Sequence, residues 1–372
     1  MGGSWALQAA GIDLVRLAHA GLDSRALRTQ FLDRLSRLIA FDSAWFAMAD
    51  PATLLFTDAV RQEIPPDSTP RFVEDEFLLD DYNKWVDLAH APVHANSLEL
   101  AAAGDLQASY RFREILKPLG LGDELRAALV SGRLCWGFIC LHRELGGRNF
   151  SSEERGWLAS LAPAMADGLR ASLLLQAAGA STDEAGVVLL AADLSVSGMS
   201  PQAERWLAEI SDEDWPSARE LPSVILGVAA RLRAQESAGQ SLRPASARIR
   251  TRSGVWLLAR ASNLTGEASA GQTAVVLAPA RPFELAEVIM DAYGLTPREQ
   301  QLTGLVLQGL STKELGAHLL ISESTVQQHL KSIFDKVGVR SRRELAAQVF
   351  AAQYQPRIRE GLGVGASGWF SQ

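Results

Sequence analysis

The sequence predicts a multidomain chain: two α+β domains followed by an all-α four-helix domain. Three observations predict it. The 372 residues exceed one ordinary domain, at roughly 100–200 residues each. Residues 24–176 and 186–280 each carry strand-like runs interleaved with short helical patterns. Residues 295–353 carry a succession of helix start and stop signals and no strand pattern. A hydrophobic share of 47% with 21% charged residues is that of a globular protein with real cores.

The first block opens on SRALRTQFLDRLSRLIAF, where Leu27, Phe31, Leu35, Leu38 and Ile39 share a helical face. The strand AWFAMAD follows, then a Pro-rich loop around Pro65 and Pro66, then a helix over 106–117. ELRAALV and RLCWGFICLHR form two strands joined by a turn at Ser131-Gly132. A long helix, FSSEERGWLASLAPAMADGLRASLLL, closes the block, with Ser151 and Glu154 as its capping box. A linker over 177–185 leads into the second block. That block reads strand (GVVLLAAD), helix (QAERWLAEI), helix (SVILGVAARLRAQ), then strands ARIRTR, VWLLARAS and TAVVLAP, which suggests a single α+β sheet with its helices. FELAEVIMDAY is a connecting helix. No internal repeat stands out.

The third block is the most sharply punctuated. Thr296-Pro297-Arg298-Glu299, Ser311 with Glu314, and Ser341 with Glu344 each mark a helix start, and Ser322 caps another. Gly309 and Gly338 mark ends. Helices over 297–308, 312–319, 323–337 and 342–353 follow. Only Leu320 to Ser322 separate the second from the third, a helix-turn-helix spacing. On the third helix Val326, Leu330, Ile333, Phe334 and Val337 form an apolar stripe. Ser324, Gln327, Gln328, Lys331 and Asp335 lie opposite. Gln and Lys at that end of a helix are groups that bond base edges in a major groove, although any bundle helix also exposes them.

Charge supports the first use. The whole chain carries −7, but 295–353 holds seven Lys/Arg against five Asp/Glu, or +2, leaving −9 for the rest. Cys135 and Cys140 sit five apart on one strand, so alternation sets them on opposite faces as small buried hydrophobes, and no disulfide framework exists. MGGSWALQAAGIDLVR lacks a basic leader, Gly2 fails the myristoylation pattern, and no apolar stretch spans a bilayer. A soluble, cytoplasmic protein without membrane contact is the expectation. No G-x-x-x-x-G-K-[ST], G-x-S-x-G, H-E-x-x-H or C-x-x-C occurs, so no enzyme is expected and no catalytic residue is assigned. His90, His94 and His142 do not form a metal set, and His329 has no metal-spaced partner. No metal or cofactor is expected.

LTPREQQLTGLVLQGLSTKELGAHLLISESTVQQHLKSIFDKVGVRSRRELAAQVF closely resembles the LuxR-type (GerE-type) helix-turn-helix, through LTPRE, Gly-Leu-Ser-x-Lys-Glu, ISESTV-x-x-H and Lys-Val-Gly-Val-x-Ser-Arg. The resemblance implies base contacts by Gln327, Gln328 and Lys331, with Ser324 beside them, and phosphate contacts by Ser322, Thr325, Lys336 and Arg340. Leu315-Gly316 stands where the family often has Ile-Ala, a departure expected to loosen the second helix. LGLGDELRAALVSGRLCWGFICLHRE with FSSEE resembles GAF domains. VVLLAADLSVSGMSPQAERWL with ARIRTRSGVWLLARASNL resembles PAS domains.

The expected architecture is therefore two α+β sensor domains, GAF-like (20–176) and PAS-like (186–280), with antiparallel sheets and helices. A connecting helix (281–294), an all-α four-helix helix-turn-helix domain (295–355) and a tail (356–372) follow. The resemblance implies a homodimeric, sequence-specific transcription regulator on double-stranded DNA with two half-sites, in contact with RNA polymerase and modulated by a small molecule or partner. Trp45, Phe46, Trp85, Tyr110 and Trp136 are the candidate ligand contacts, with plain core packing as the competing reading. DYNKW loosely resembles the Trp-bearing pocket of acyl-homoserine-lactone receptors, whose chains are shorter and lack a PAS-like block. Two alternatives stand: N-terminal domains that only dimerise, and a phosphorylation-controlled response regulator. The latter needs an alternating βα pattern that the first block lacks.

Overall fold

The computed structural model describes residues 11–175, 184–210, 221–238, 244–265 and 271–349. The expected tail and most of the expected linker lie outside them. The chain divides into two compact units, the first holding both sheets and the second the helices from residue 280 onward.

The first unit has two lobes. Lobe one begins with helix α1 (residues 11–18), whose Leu14, Leu17 and Ala18 are buried. Its core thus starts upstream of the expected boundary at residue 20. In α2 (Ser24–Leu35) the Asp23 carboxylate caps the first turn by accepting the N–H groups of Arg25 and Ala26. Strands β1 (Ser43–Ala49), β2 (Phe56–Gln62), β3 (Ala95–Ser97), β4 (Leu121–Ser131) and β5 (Leu134–Glu144) form a sheet in the order β2-β1-β5-β4-β3, every pairing antiparallel. Helices α3 (Thr69–Leu78), α4 (Trp85–His90) and α5 (Leu98–Ala101) lie in the β2–β4 connection, and α6 (Ser152–Leu175) follows β5.

The expected hairpin turns at Gly132, whose φ of 64° favours glycine. Near it Leu129 pairs with Gly137 and Val130 with Cys135, so Trp136 is an extra residue in β5. That bulge interrupts the alternation on which opposite faces for Cys135 and Cys140 rested. Both cysteines are buried and unbridged. α6 is long and apolar enough to cross a membrane by length and composition, contrary to the sequence reading. Here it packs on β4 and β5 and buries Leu158, Leu161, Met165 and Leu169. Gly137 permits that approach, because a Cβ there would stand 2.6 Å from Leu169 Cδ1 and from the Ala47 carbonyl.

The helix expected over 106–117 is instead a 3₁₀ turn (Leu106–Ala108) and a π-helical turn (Phe112–Leu116). The break lies where Asp81 captures both the Ser109 hydroxyl (2.9 Å) and the Arg111 N–H (2.7 Å).

Lobe two contains β6 (Gly186–Leu190), β7 (Val196–Met199), α7 (Pro201–Ile210), α8 (Ser223–Ala238), β8 (Ser246–Arg250), β9 (Trp256–Asn263) and β10 (Thr273–Pro279). Its order is β7-β6-β10-β9-β8, and it is fully antiparallel, as expected. Counted from its own first strand, it repeats the order of lobe one, although the sequence shows no repeat. Helix α8 packs on α3 and β2 of lobe one. Asp50, 1% exposed, accepts hydrogen bonds from the Arg248 backbone N–H (2.9 Å), Nε (3.0 Å) and Nη2 (2.9 Å).

The second unit comprises α9 (Pro282–Ala292), α10 (Pro297–Leu307), α11 (Thr312–Leu319), α12 (Glu323–Val337) and α13 (residues 342–349). Leu302, Leu315, Val326, Leu330, Ile333 and Leu345 centre its core. The four expected helices are thus present, with residues beyond 349 outside the described range.

Replacing Asp50 by Ala leaves the Arg248 guanidinium without its buried carboxylate. Such removals cost about 3 kcal/mol. Urea unfolding should show a lowered midpoint, and a midpoint equal to wild type would mean this contact does not hold the lobes together.

Candidate nucleic-acid interface and ligand cavity

Local capping builds the second unit. Thr296 with Glu299 and Ser311 with Glu314 form reciprocal capping boxes. The Ser322 hydroxyl accepts the Thr325 N–H and caps α12. At the last expected box the Glu344 carboxylate accepts from the Arg340 N–H (2.8 Å) and the Ser341 hydroxyl (3.0 Å). Between α11 and α12 the chain turns on Leu320, which is left-handed at φ 54° and 91% exposed. Gly316 does not loosen α11. A Cβ there would meet the Ile321 carbonyl oxygen at 2.8 Å, and the Ile321 N–H donates to the Gly316 carbonyl at 3.0 Å. The glycine lets this turn close tightly.

Helix α12 buries Val326, Leu330, Ile333 and Val337 and exposes Ser322, Ser324, Gln327, Gln328 and Lys331 at its N-terminal half, with Thr325 partly covered. Gln327 Nε2 donates to Thr312 Oγ1 at 3.3 Å. Arg340 is exposed. Lys336 is exposed, and its ammonium pairs with the Glu299 carboxylate at 2.7 Å and donates to the Gly294 carbonyl at 3.1 Å. It ties α12 to the start of α10 and is engaged within the domain. Arg298 and Arg342 are likewise engaged, donating to the Leu319 and Leu310 carbonyls at 2.6 and 2.7 Å. Burial pushes the Glu299 carboxyl up, but hydrogen bonds from Lys336, Ser332 and Thr296 outweigh it and hold the pKa at about 2.

Lobe one of the other unit carries a partly open cavity of about 60 Å³. It lies on the sheet face opposite α6. Trp45, Phe56, Phe72 and Trp85 are its aromatic walls, and Glu76, Arg126, Cys140 and His142 are polar lining groups. Ser223, the first residue of α8, completes the lining from lobe two. Trp85 stacks on Phe138 (4.8 Å) and Trp45 (5.9 Å), and the Arg126 guanidinium lies 4.4 Å from its ring centre.

A buried ionic cluster supports this lining. Glu124 Oε2 receives Arg111 Nε at 2.7 Å and faces Arg126 Nε at 3.0 Å, while Arg111 also donates to Asp75 and Arg126 to Glu76. The Lys84 ammonium donates to the Asp75 carbonyl. The other carboxylate oxygen, Oε1, lies 3.0 Å from Cys140 Sγ and 3.3 Å from His142 Nε2, and those two atoms are 3.2 Å apart. Burial raises the Glu124 carboxyl pKa, but the charges of Arg111 and Arg126 prevail and hold it well below the usual range. Burial, with Glu124 beside it, pushes the Cys140 thiol well up. Glu124, Cys140 and His142 each offer an atom to a metal ion. The guanidiniums on Glu124 oppose a cation, and the three groups already satisfy one another as a hydrogen-bonded triad.

Of the expected ligand contacts, Trp45 and Trp85 line the cavity. Phe46 points to the opposite face, in edge contact with Phe31 at 5.9 Å. Trp136 is fully buried at the bulge, and Tyr110 lies outside the cavity lining. The sequence reading missed Phe56, Phe72, Arg61, Arg126, Cys140 and His142, which converge from three strands and a helix far apart in the chain.

The second unit is thus a capped helix-turn-helix domain, and comparison with known proteins agrees. Residues 294–349 match the family model "Bacterial regulatory proteins, luxR family". The spore germination protein GerE of Bacillus subtilis is 36% identical over 55 residues, 15% of this chain and 74% of GerE. The nitrate/nitrite response regulator NarL of Escherichia coli K12 is 39% identical over 83 residues, 22% of this chain and 37% of NarL. The chain belongs to the luxR family of bacterial regulatory proteins through this domain. It spans little more than a third of NarL. Escherichia coli SdiA aligns over 93% of this chain and 96% of its own at 11% identity, with a TM-score of 0.32.

The depressed Glu299 pKa sets a pH signature. A carboxylate stabilised in the folded state contributes fully above its unfolded pKa of about 4.5 and loses that contribution as pH falls towards 2. Glu299→Gln should therefore lower the domain's stability by a constant amount above about pH 5, and the gap should narrow from about pH 4.5 to 2. Denaturant unfolding across that range checks it, and a gap independent of pH would show that ionised Glu299 holds nothing.

Proposed function

We propose that this protein is a sequence-specific DNA-binding transcription regulator that acts as a homodimer on two half-sites. In this reading α12 enters the major groove. The observation that carries it is the exposed polar face of α12, where Gln327, Gln328 and Lys331 stand beyond the Ser322 cap on a helix held by a buried stripe. Ser322, Ser324 and Thr325 sit at the helix N-terminus, where phosphate is favoured, and Arg340 supplies an exposed cation nearby in sequence. Lys336 acts instead as a structural tie.

The two lobes of the first unit serve as a GAF-like and a PAS-like sensor, and the cavity of lobe one takes a small molecule whose binding alters affinity for DNA. RNA polymerase is the expected contact of the DNA-bound dimer, and the site of action is the cytoplasm. A phosphorylation-controlled receiver fits poorly, since every strand pairing among the described residues is antiparallel, not parallel βα.

Selection from random duplexes with the full chain should enrich a two-half-site sequence. Gln328→Ala with Lys331→Ala should then bind the enriched and scrambled sequences equally, whereas a double variant that keeps the preference would displace α12 as the reading helix. Arg340→Ala should weaken all sequences alike and reduce the salt slope by about one.

A further inference from the structure

We infer that the cavity of lobe one selects small organic carboxylates with a flat, apolar body, and that Arg61 is the charge that selects them. This rests on the cavity being the ligand site and adds the chemical class of its occupant.

The buried cluster beside the cavity is balanced: Lys84, Arg111 and Arg126 face Asp75, Glu76 and Glu124. Arg61 is not part of that balance. It lies on β2 directly across from Trp45, and it lines the cavity. Its Nη1 is shielded from solvent and has no hydrogen-bond partner among the described residues. Arg126, 4% exposed, also presents to the lining an Nε without a well-directed hydrogen bond, although Glu124 lies 3.0 Å away. A buried donor left unmade is costly, and a charged one more so. An acceptor supplied from outside the chain removes that cost.

Two helix starts point the same way. Helix α3 begins at Thr69 beside the cavity, and its N-cap Ser68 makes no side-chain cap, its hydroxyl instead donating to the Pro65 carbonyl at 2.6 Å. Helix α8 begins at Ser223, also in the lining. Both starts carry the positive end of a helix dipole, which favours a negative group. The remaining wall is Trp45, Phe56, Phe72 and Trp85, which offers aromatic faces to an apolar body. A carboxylate accepts two parallel N–H bonds from a guanidinium, so it satisfies Arg61 in a way that a neutral amide cannot.

The test uses the full chain with two isosteric pairs, benzoate against benzamide and phenylacetate against phenylacetamide, read by tryptophan fluorescence and thermal shift. The acids should bind about tenfold tighter than the amides. Arg61→Gln should bring that ratio to about one by weakening the acids more than the amides, and Arg61→Lys should restore part of it. Equal binding of acids and amides overturns the inference, as does a preference that survives in Arg61→Gln. In either case the cavity remains a ligand site and only the class falls. If neither charge type binds, both the class and the ligand-site reading fall, while DNA reading by α12 is untouched.

Discussion

The carboxylate of Glu124 organises the lobe that houses the cavity. One of its oxygens meets guanidiniums from the residue that caps the π-helical turn (Arg111) and from its own strand (Arg126), and the other meets Cys140 and His142 of β5. Arg111 and Arg126 carry the connection on to Asp75 and Glu76 of α3. One group thus joins the sheet to the irregular crossover segment that roofs it. Buried ion pairs are weak evidence for net stability, because desolvation opposes the Coulomb gain. Their effect here is geometric. A carboxylate with four neighbours has one workable position, and it fixes Arg126 over the Trp85 ring.

That geometry sets charged and aromatic lining groups side by side. Trp85 is clamped between the Phe138 ring, the Trp45 ring and a guanidinium, so its face cannot collapse into the open space. A purely aliphatic lining of the same size would relax inwards more readily, since the cost of a void depends on how well its walls can move. Rigid walls held by charge keep a small cavity open.

The sequence disclosed the two units unequally, for physical reasons. The helix-turn-helix is written in local rules. Caps at Thr296, Ser311 and Ser322, a stop at Gly338 and a stripe on α12 involve residues within a few positions of one another, so its boundaries were legible nearly to the residue. The tie from Lys336 to Glu299 was not legible because its partner lies 37 positions away, on a neighbouring helix. The cavity is non-local throughout. Trp45 and Trp85 could be picked as aromatic, but nothing near Phe46 or Trp136 told which sheet face each would take, and the Trp136 bulge broke the alternation that might have decided it. Arg61 had no sequence signature at all. The break in the 106–117 helix depended on Asp81, more than 20 residues upstream.

The shared strand order of the two lobes gives the first unit a further property. The lobes meet where both carry helices between their second and third strands, with α8 on α3 and β2, and β8 lies beside Asp50. Gly227 of α8 comes so near that an added Cβ would lie 3.2 Å from the Phe56 ring, which is itself a cavity wall. Four residues earlier Ser223 belongs to the lining. A molecule in this cavity therefore touches both lobes. Where such a molecule meets Ser223, linkage ties its binding to the seating of α8 in both directions. Coupling between two parts of a protein requires contacts that differ between their arrangements, and Ser223 and Phe56 stand where the cavity lining meets α8.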